Sequence, residues 1–206
     1  MSKREYRLGK RAKQMEETRQ RILDAGRDLF TGEGFHQVSV SEIADRASVT
    51  RATVYNHFDS KTGVLLALLE ELERRAEIHR LVDALRHPDP VQALREFLRD
   101  HCRFWAADVL VFRNVFSLSA YDPELNEAKN QKDRNRKASI ARLVRRLADA
   151  DRLHPDVTRE QALDAIWLLT HFETFDFLYR SGNLDVEEVA EILVTMSNSL
   201  IREPKE

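Results

Sequence analysis

The sequence is short of cysteine, glycine and proline. A single cysteine, Cys102, stands among 206 residues. It allows no intrachain disulfide and no four-cysteine zinc site, and a reducing cytoplasm is the expected setting. Six glycines and five prolines are too few for the turns of an all-β sandwich or barrel. No apolar run approaches the roughly 18–20 residues needed to span a bilayer. The opening MSKREYRLGKRAKQ has no apolar signal core, so no membrane partner is expected. Catalytic fingerprints are missing too: there is no Gly-x-Ser-x-Gly, P-loop, His-Glu-x-x-His or Gly-x-Gly-x-x-Gly. Neither an enzyme nor a resident metal or cofactor is expected.

What is present is charge, on 33% of residues, beside 42% hydrophobic residues. The net charge of −2 hides an asymmetry, because residues 1–63 carry an excess of base and the remainder an excess of acid. Lys3, Arg4, Arg7, Lys10, Arg11 and Lys13 face only Glu5 in the opening stretch. Residues 1–15 are therefore set apart as a basic arm. Two readings stay open for it, a polyanion-binding extension or a solubilising tail.

Helical spacing of apolar residues runs through the chain, and about nine helices are expected, all α. Ile22, Leu23, Ala25, Leu29 and Phe30 mark the first, over 16–35, with Gly34 as its C-terminal glycine. Gly26 inside it points to a close helix contact. Ser39 and Glu42 form a capping box for a short helix with Val40, Ile43, Ala44 and Ala47 on one face. Thr50 caps a second short helix over Arg51–His57, its inward side Ala52, Val54, Tyr55 and Phe58. A third helix starts at Lys61 and runs to about Arg86. Pro90 opens a helix to about Ala107, followed by Val109–Leu118, a long charged helix from Pro123 to Asp149, a single helix over 158–180 and a last one from Val186 to Arg202.

Two short capped helices joined by a tight turn make a helix-turn-helix, whose second helix enters a major groove. Its outward residues Arg51, Thr53, Asn56 and His57 suit base edges and phosphates. Residues 18–65 resemble the DNA-binding domain of the TetR family of bacterial transcription regulators. The resemblance lies in Ile22-Leu23-Asp24-Ala25 with Leu29-Phe30, in Gly34-Phe35, in Ser39 through Ala44, in Val49 through Phe58 and in Ser60-Lys61. The family usually has glycine where Ser48 stands, so a strained turn is expected there.

The resemblance implies a helix-turn-helix domain over 16–62 and an effector-binding and dimerisation domain over 63–206. It implies a homodimeric repressor, released from a double-stranded DNA operator by a small-molecule effector; the other reading is an effector-independent DNA-binding dimer that recruits a protein partner. Ser39, Thr50 and Lys61 would meet phosphates, Arg51, Thr53 and Asn56 would face bases, and Tyr55 and His57 would lie near the DNA backbone.

Beyond residue 63 the aromatic residues fall in two stretches, 97–121 and 167–179. Phe97, His101, Trp105, Phe112, Phe116, Phe172, Glu173, Phe175 and Asp176 are the candidate effector pocket. Its carboxylates either form internal ion pairs or give an acidic lining for a cationic ligand. The 158–180 helix has two apolar stripes, and Leu163, Trp167, Thr174 and Phe177 are the candidate dimer face. Eight bases and one acid over 129–146 form either a solvated face or an anion-binding rim.

Overall fold

A computed structural model of the chain describes residues 3–32, 34–75 and 79–202, with side chains from Gly9 onward except at His79. The side chains of Lys3, Arg4, Arg7 and His79 lie outside it. Eleven α-helices are present among the described residues: α1 (Lys3–Gly32), α2 (Val40–Arg46), α3 (Arg51–Phe58), α4 (Lys61–Arg75), α5 (His79–Ala84), α6 (Pro90–Ala106), α7 (Val109–Leu118), α8 (Pro123–Asp149), α9 (Arg159–Leu169), α10 (Phe172–Ser181) and α11 (Val186–Ser197). There is no strand among these residues, only an isolated antiparallel bridge between Leu153 and Ile201. No described helix is long and apolar enough to cross a membrane.

The basic stretch expected as an arm is helix. α1 starts at Lys3, well before the first apolar repeat. Lys, Arg, Gln, Met and Glu are strong helix formers, and they extend the helix that Ile22 to Phe30 anchor. Lys10, Arg11 and Lys13 are exposed on it.

The chain divides into two compact units, Met1–Glu71 with Leu110–Ala128, and Leu72–Val109 with Lys129–Glu206. The first therefore takes in more than the residues up to 62. Its core holds Ile22, Leu23, Phe30, Ile43, Val54, Val64 and Leu65, together with Phe112, Val115 and Leu125. Asn114 donates to the Phe30 carbonyl (3.3 Å), and Thr62 donates to Asp122 (2.8 Å), whose other oxygen caps the start of α8. α1 and α4 meet at Gly26, where a Cβ would lie 2.7 Å from Val64 Cγ1.

In the second unit Asp89 caps α6 with Pro90 in its first turn. Val91, Leu94, Phe97, Leu98, His101, Cys102, Phe104 and Trp105 form its buried face. Burial pushes the Cys102 thiol up to about 12, which keeps it unreactive. Arg99 pairs with Glu191 of α11 at 2.8 Å. Arg146 of α8 donates to the carbonyls of Leu85, His87 and Pro88 and so closes the turn into α6.

The segment expected as one helix over 158–180 is two. Thr170 leaves the helix at φ −94°, ψ 2°, and His171 is extended. The Thr170 carbonyl accepts from Trp105 Nε1 (3.1 Å) and Arg136 Nη1 (2.8 Å), and the Thr170 hydroxyl bonds back to Ile166 O (2.9 Å). Two buried side-chain donors outcompete the next helical N–H, and threonine back-bonding loosens the turn.

Replacing Gly26 by Ala should destabilise the protein by about 1 kcal/mol. The added methyl overpacks against Val64, a residue stiff at χ1 in a helix, and this outweighs the roughly 1 kcal/mol gained in helix propensity. Thermal unfolding of Gly26→Ala, Val64→Ala and the double variant tests it. The pair should be less destabilising than the sum of the singles, and a strictly additive pair would remove the close contact as the cause.

Candidate nucleic-acid interface

The first unit presents α3 through two turns, each built by a specific side chain. Ser39 caps α2 reciprocally. Its hydroxyl accepts from Glu42 N–H (3.3 Å), while the Glu42 carboxylate accepts from Ser39 N–H and hydroxyl, both at 2.7 Å. Hydrogen bonds from the Ser39 side chain and backbone hold the Glu42 carboxyl below its usual value. At the other end Ser48 adopts φ 54°, the left-handed region, where its Cβ is strained. Val49 N–H then reaches back to Ala44 O at 2.9 Å, closing the turn. Serine thus takes up the conformation that glycine would hold without strain.

Thr50 caps α3 by accepting from Thr53 N–H at 3.1 Å. Only Val54 and Phe58 of α3 are buried. Ala52 and Tyr55, expected to face inward, are exposed, because eight residues in contact along one line bury only positions four apart. Arg51 and Asn56 are exposed beside them, and Thr53 and His57 are half-buried. Arg51, Tyr55 and Asn56 therefore share one accessible surface.

α3 ends in a γ-turn that the sequence did not reveal. Asp59 sits at φ 59°, ψ −35°, and Ser60 N–H returns to the Phe58 carbonyl at 2.6 Å. That carbonyl passes so close to α4 that a Cβ on Gly63 would lie 1.8 Å from it, so only glycine fits there.

Lys61 is placed differently from a free phosphate ligand. Its Nζ donates to Phe35 O (2.7 Å) and Val38 O (2.8 Å) and lies 4.3 Å from the Phe35 ring centroid. Burial pulls its pKa below the usual lysine value, and the Glu42 charge opposes the shift. Two of its three N–H groups hold the segment that leads into Ser39.

In the second unit Phe97, His101, Trp105 and Phe172 come together. His101 lies 4.3 Å from Phe97 and 6.4 Å from Trp105 by centroid, and Trp105 lies 5.5 Å from Phe172. His101 Nδ1 donates to Phe97 O at 2.9 Å. Burial pushes its pKa down to about 3, helped by the Arg136 charge, so the ring is neutral. The acidic pair is not part of this cluster. Glu173 binds His171 at 2.5 Å with its side chain 60% exposed, and it lines a surface groove along α10 with Asp176, Phe177, Arg180 and Ser181. Burial raises the Glu173 pKa, but the His171 and backbone hydrogen bonds and the charges of His171 and Lys129 together outweigh it and leave it low. Phe175 stacks on Tyr179, and Phe112 and Phe116 belong to the first unit. No group of three or more His, Cys, Asp or Glu among the described residues could hold a metal.

Arg136 stands in the basic run over 129–146, and its spacing marks it out: it lies four residues before Ile140 on the line continued by Leu143 and Leu147, and those three are buried.

Lys61→Met should lower stability by about 1–3 kcal/mol, since two main-chain carbonyls lose a charged donor. Urea unfolding checks it, and an unchanged midpoint would assign the ammonium to solvent. Glu42 supplies a pH signature. Its pKa is depressed in the folded state, so its contribution is present above about pH 4.5, its ordinary value, and is lost as pH falls through the lower folded value. Unfolding midpoints between pH 7 and 3 should fall more steeply for wild type than for Glu42→Gln.

The sequence profile of bacterial regulatory proteins of the tetR family matches residues 22–68. The HTH-type transcriptional regulator SrpR of Pseudomonas putida is 42% identical over 69 residues, 34% of this chain and 32% of that protein. The HTH-type transcriptional activator FasR of Mycolicibacterium smegmatis is 35% identical over 92 residues, 45% of this chain and 37% of that protein. The chain thus spans about a third of the length of these curated relatives. A tetR-family regulatory protein from Rhodococcus RHA1 shares the fold, with TM-score 0.73 at 19% identity, covering 89% of this chain and 96% of that one. The helix-turn-helix, its caps and the matched residues agree: residues 22–68 carry the DNA-binding segment of the tetR family of bacterial regulatory proteins.

Proposed function

We propose that the protein is a sequence-specific DNA-binding regulator of transcription, a homodimer released from its operator by a small effector. The observation that carries the DNA-binding part is the outer surface of α3. Arg51, Tyr55 and Asn56 stand exposed on a short helix whose only buried side chains are Val54 and Phe58. Arginine and asparagine are the side chains best shaped for guanine and adenine edges in a major groove. The half-buried Thr53 and His57 would touch the groove wall. The α3 N-terminus, capped by Thr50, suits a phosphate.

Dimerisation is supported by apolar side chains left open on the second unit. Leu168 is 61%, Phe177 68% and Met196 53% exposed, more than a monomer usually leaves on neighbouring helices. Phe177 and the half-buried Leu163 and Thr174 belong to this face; Trp167 is covered on one side by Arg136. Two heads on one dimer would read half-sites about one helical turn apart. The effector would occupy the aromatic second unit and act by binding the DNA-free state more tightly.

Duplexes selected from a random library should be pseudo-palindromic and bind with a steep salt dependence. Arg51→Ala or Asn56→Ala should cost roughly 1–3 kcal/mol and relax specificity at one position per half-site. Fluorescence anisotropy against selected and scrambled duplexes is the measurement. Equal affinity for both at every salt concentration sinks the regulator reading.

A further inference from the structure

We infer that the guanidinium of Arg136 is the receptor for a carboxylate carried on an aromatic or otherwise apolar ligand. The inference rests on the reading of the second unit as the effector-binding part, and it names the ligand's chemistry. The Arg136 side chain is only 8% exposed. Nη1 donates to Thr170 O (2.8 Å) and Nη2 to Asp133 Oδ1 (3.0 Å), but Nε is buried with no hydrogen-bond partner. A buried donor left unmade is among the costlier defects a fold can carry.

The charge is as incompletely matched as the hydrogen bonds. Asp133 is shared, its second oxygen lying 2.7 Å from Lys129 Nζ. Glu173 also acts on the guanidinium but accepts from His171 at 2.5 Å, and Glu73 pairs with Lys132 at 2.5 Å. His101 is neutral and adds no compensation. A water molecule would satisfy the Nε proton but not the charge, whereas an anion does both. A phosphate brings more oxygens than the single free N–H can meet; a carboxylate oxygen matches it one to one.

The surroundings select the rest of the ligand. Trp167 lies 4.1 Å and Trp105 5.9 Å from the guanidinium by ring centroid. Phe172 packs on Trp105, and Phe97 and His101 continue the aromatic wall. Flat apolar bodies suit such walls. The sign is opposite to that of the acidic-lining alternative for Glu173 and Asp176, which line the α10 groove instead.

Trp105 and Trp167 are the two tryptophans of the chain, and both contact Arg136, so indole emission reports on the site. The full-length protein is titrated with 3-phenylpropanoate, 3-phenylpropan-1-ol and 3-phenylpropylamine. The carboxylate should bind at least tenfold tighter than the other two. Arg136→Lys keeps a cation but loses Nε, and should weaken the carboxylate at least tenfold without changing the alcohol. Asp133→Asn removes the shared anion and should tighten the carboxylate several-fold, a gain that a misfolded variant cannot produce. Equal binding of the three probes, no binding, or unchanged carboxylate affinity in both variants overturns the assignment. Selective DNA binding is measured on the same samples. Its retention without a carboxylate preference overturns the Arg136 site alone, and its loss in the wild type overturns the regulator reading.

Discussion

A cation withdrawn from water and bound to main-chain carbonyls fixes the chain's direction at the points where the helices turn. Lys61 holds Phe35 O and Val38 O ahead of α2. Arg146 gathers the carbonyls of Leu85, His87 and Pro88 ahead of α6. Arg136 takes Thr170 O at the break between α9 and α10. Each carbonyl lies in a connection between helices, where the backbone has no ladder partner and must find one elsewhere. Bonds to a charged donor contribute about 1.5–3 kcal/mol net, enough to offset part of the desolvation of the cation. A chain so poor in glycine and proline has few cheap turns, and these cations do what turn residues do elsewhere.

The arrangement also explains which substitutions are tolerated nearby. Removing a carbonyl's partner is worse than never having had one, because the acceptor stays buried. Lys61 and Arg146 have these carbonyls as their ties, whereas Arg136 stands on Trp167 as well and shares Asp133 with Lys129. Arg136 is therefore the most fully enclosed of the three and the one whose remaining N–H is left over.

Much of this was legible in the sequence. The spacing of Ile22, Leu23, Leu29 and Phe30, the Ser39–Glu42 box, the Thr50 cap and Pro90 each announce a local structure that tertiary packing leaves intact. Gly26 announced a close contact because glycine inside an amphipathic helix costs stability unless something approaches it. The helical 3–15 stretch was hidden, since a polar helix continuing from an anchored one carries no apolar period. The α9–α10 break was hidden for another reason: Trp105 and Arg136, which pull Thr170 O out of the helix, lie 65 and 34 residues away in the chain. Gly63 was passed over because its constraint is the Phe58 carbonyl brought back by the γ-turn, a contact that no spacing rule encodes. In the candidate interface the outward residues of α3 were readable, but Tyr55 was assigned inward because an aromatic residue in a short amphipathic helix usually belongs to the core.

The shortness of α3 has a functional logic. A helix with two buried side chains contributes little to the core, so its position depends on what lies at its ends: the Thr50 cap, strained Ser48 before it and the Asp59 γ-turn after it. Its exposed residues are then nearly free of packing duties. Arg51, Ala52, Tyr55 and Asn56 can change without opening a cavity, since large destabilisation comes from buried volume, buried polar groups or backbone strain. On the proposed reading of α3, recognition and stability are held by different residues. Changes at its exposed positions cost the fold little, while changes at Val54, Phe58, Ser48 or Gly63 would move the whole exposed surface at once.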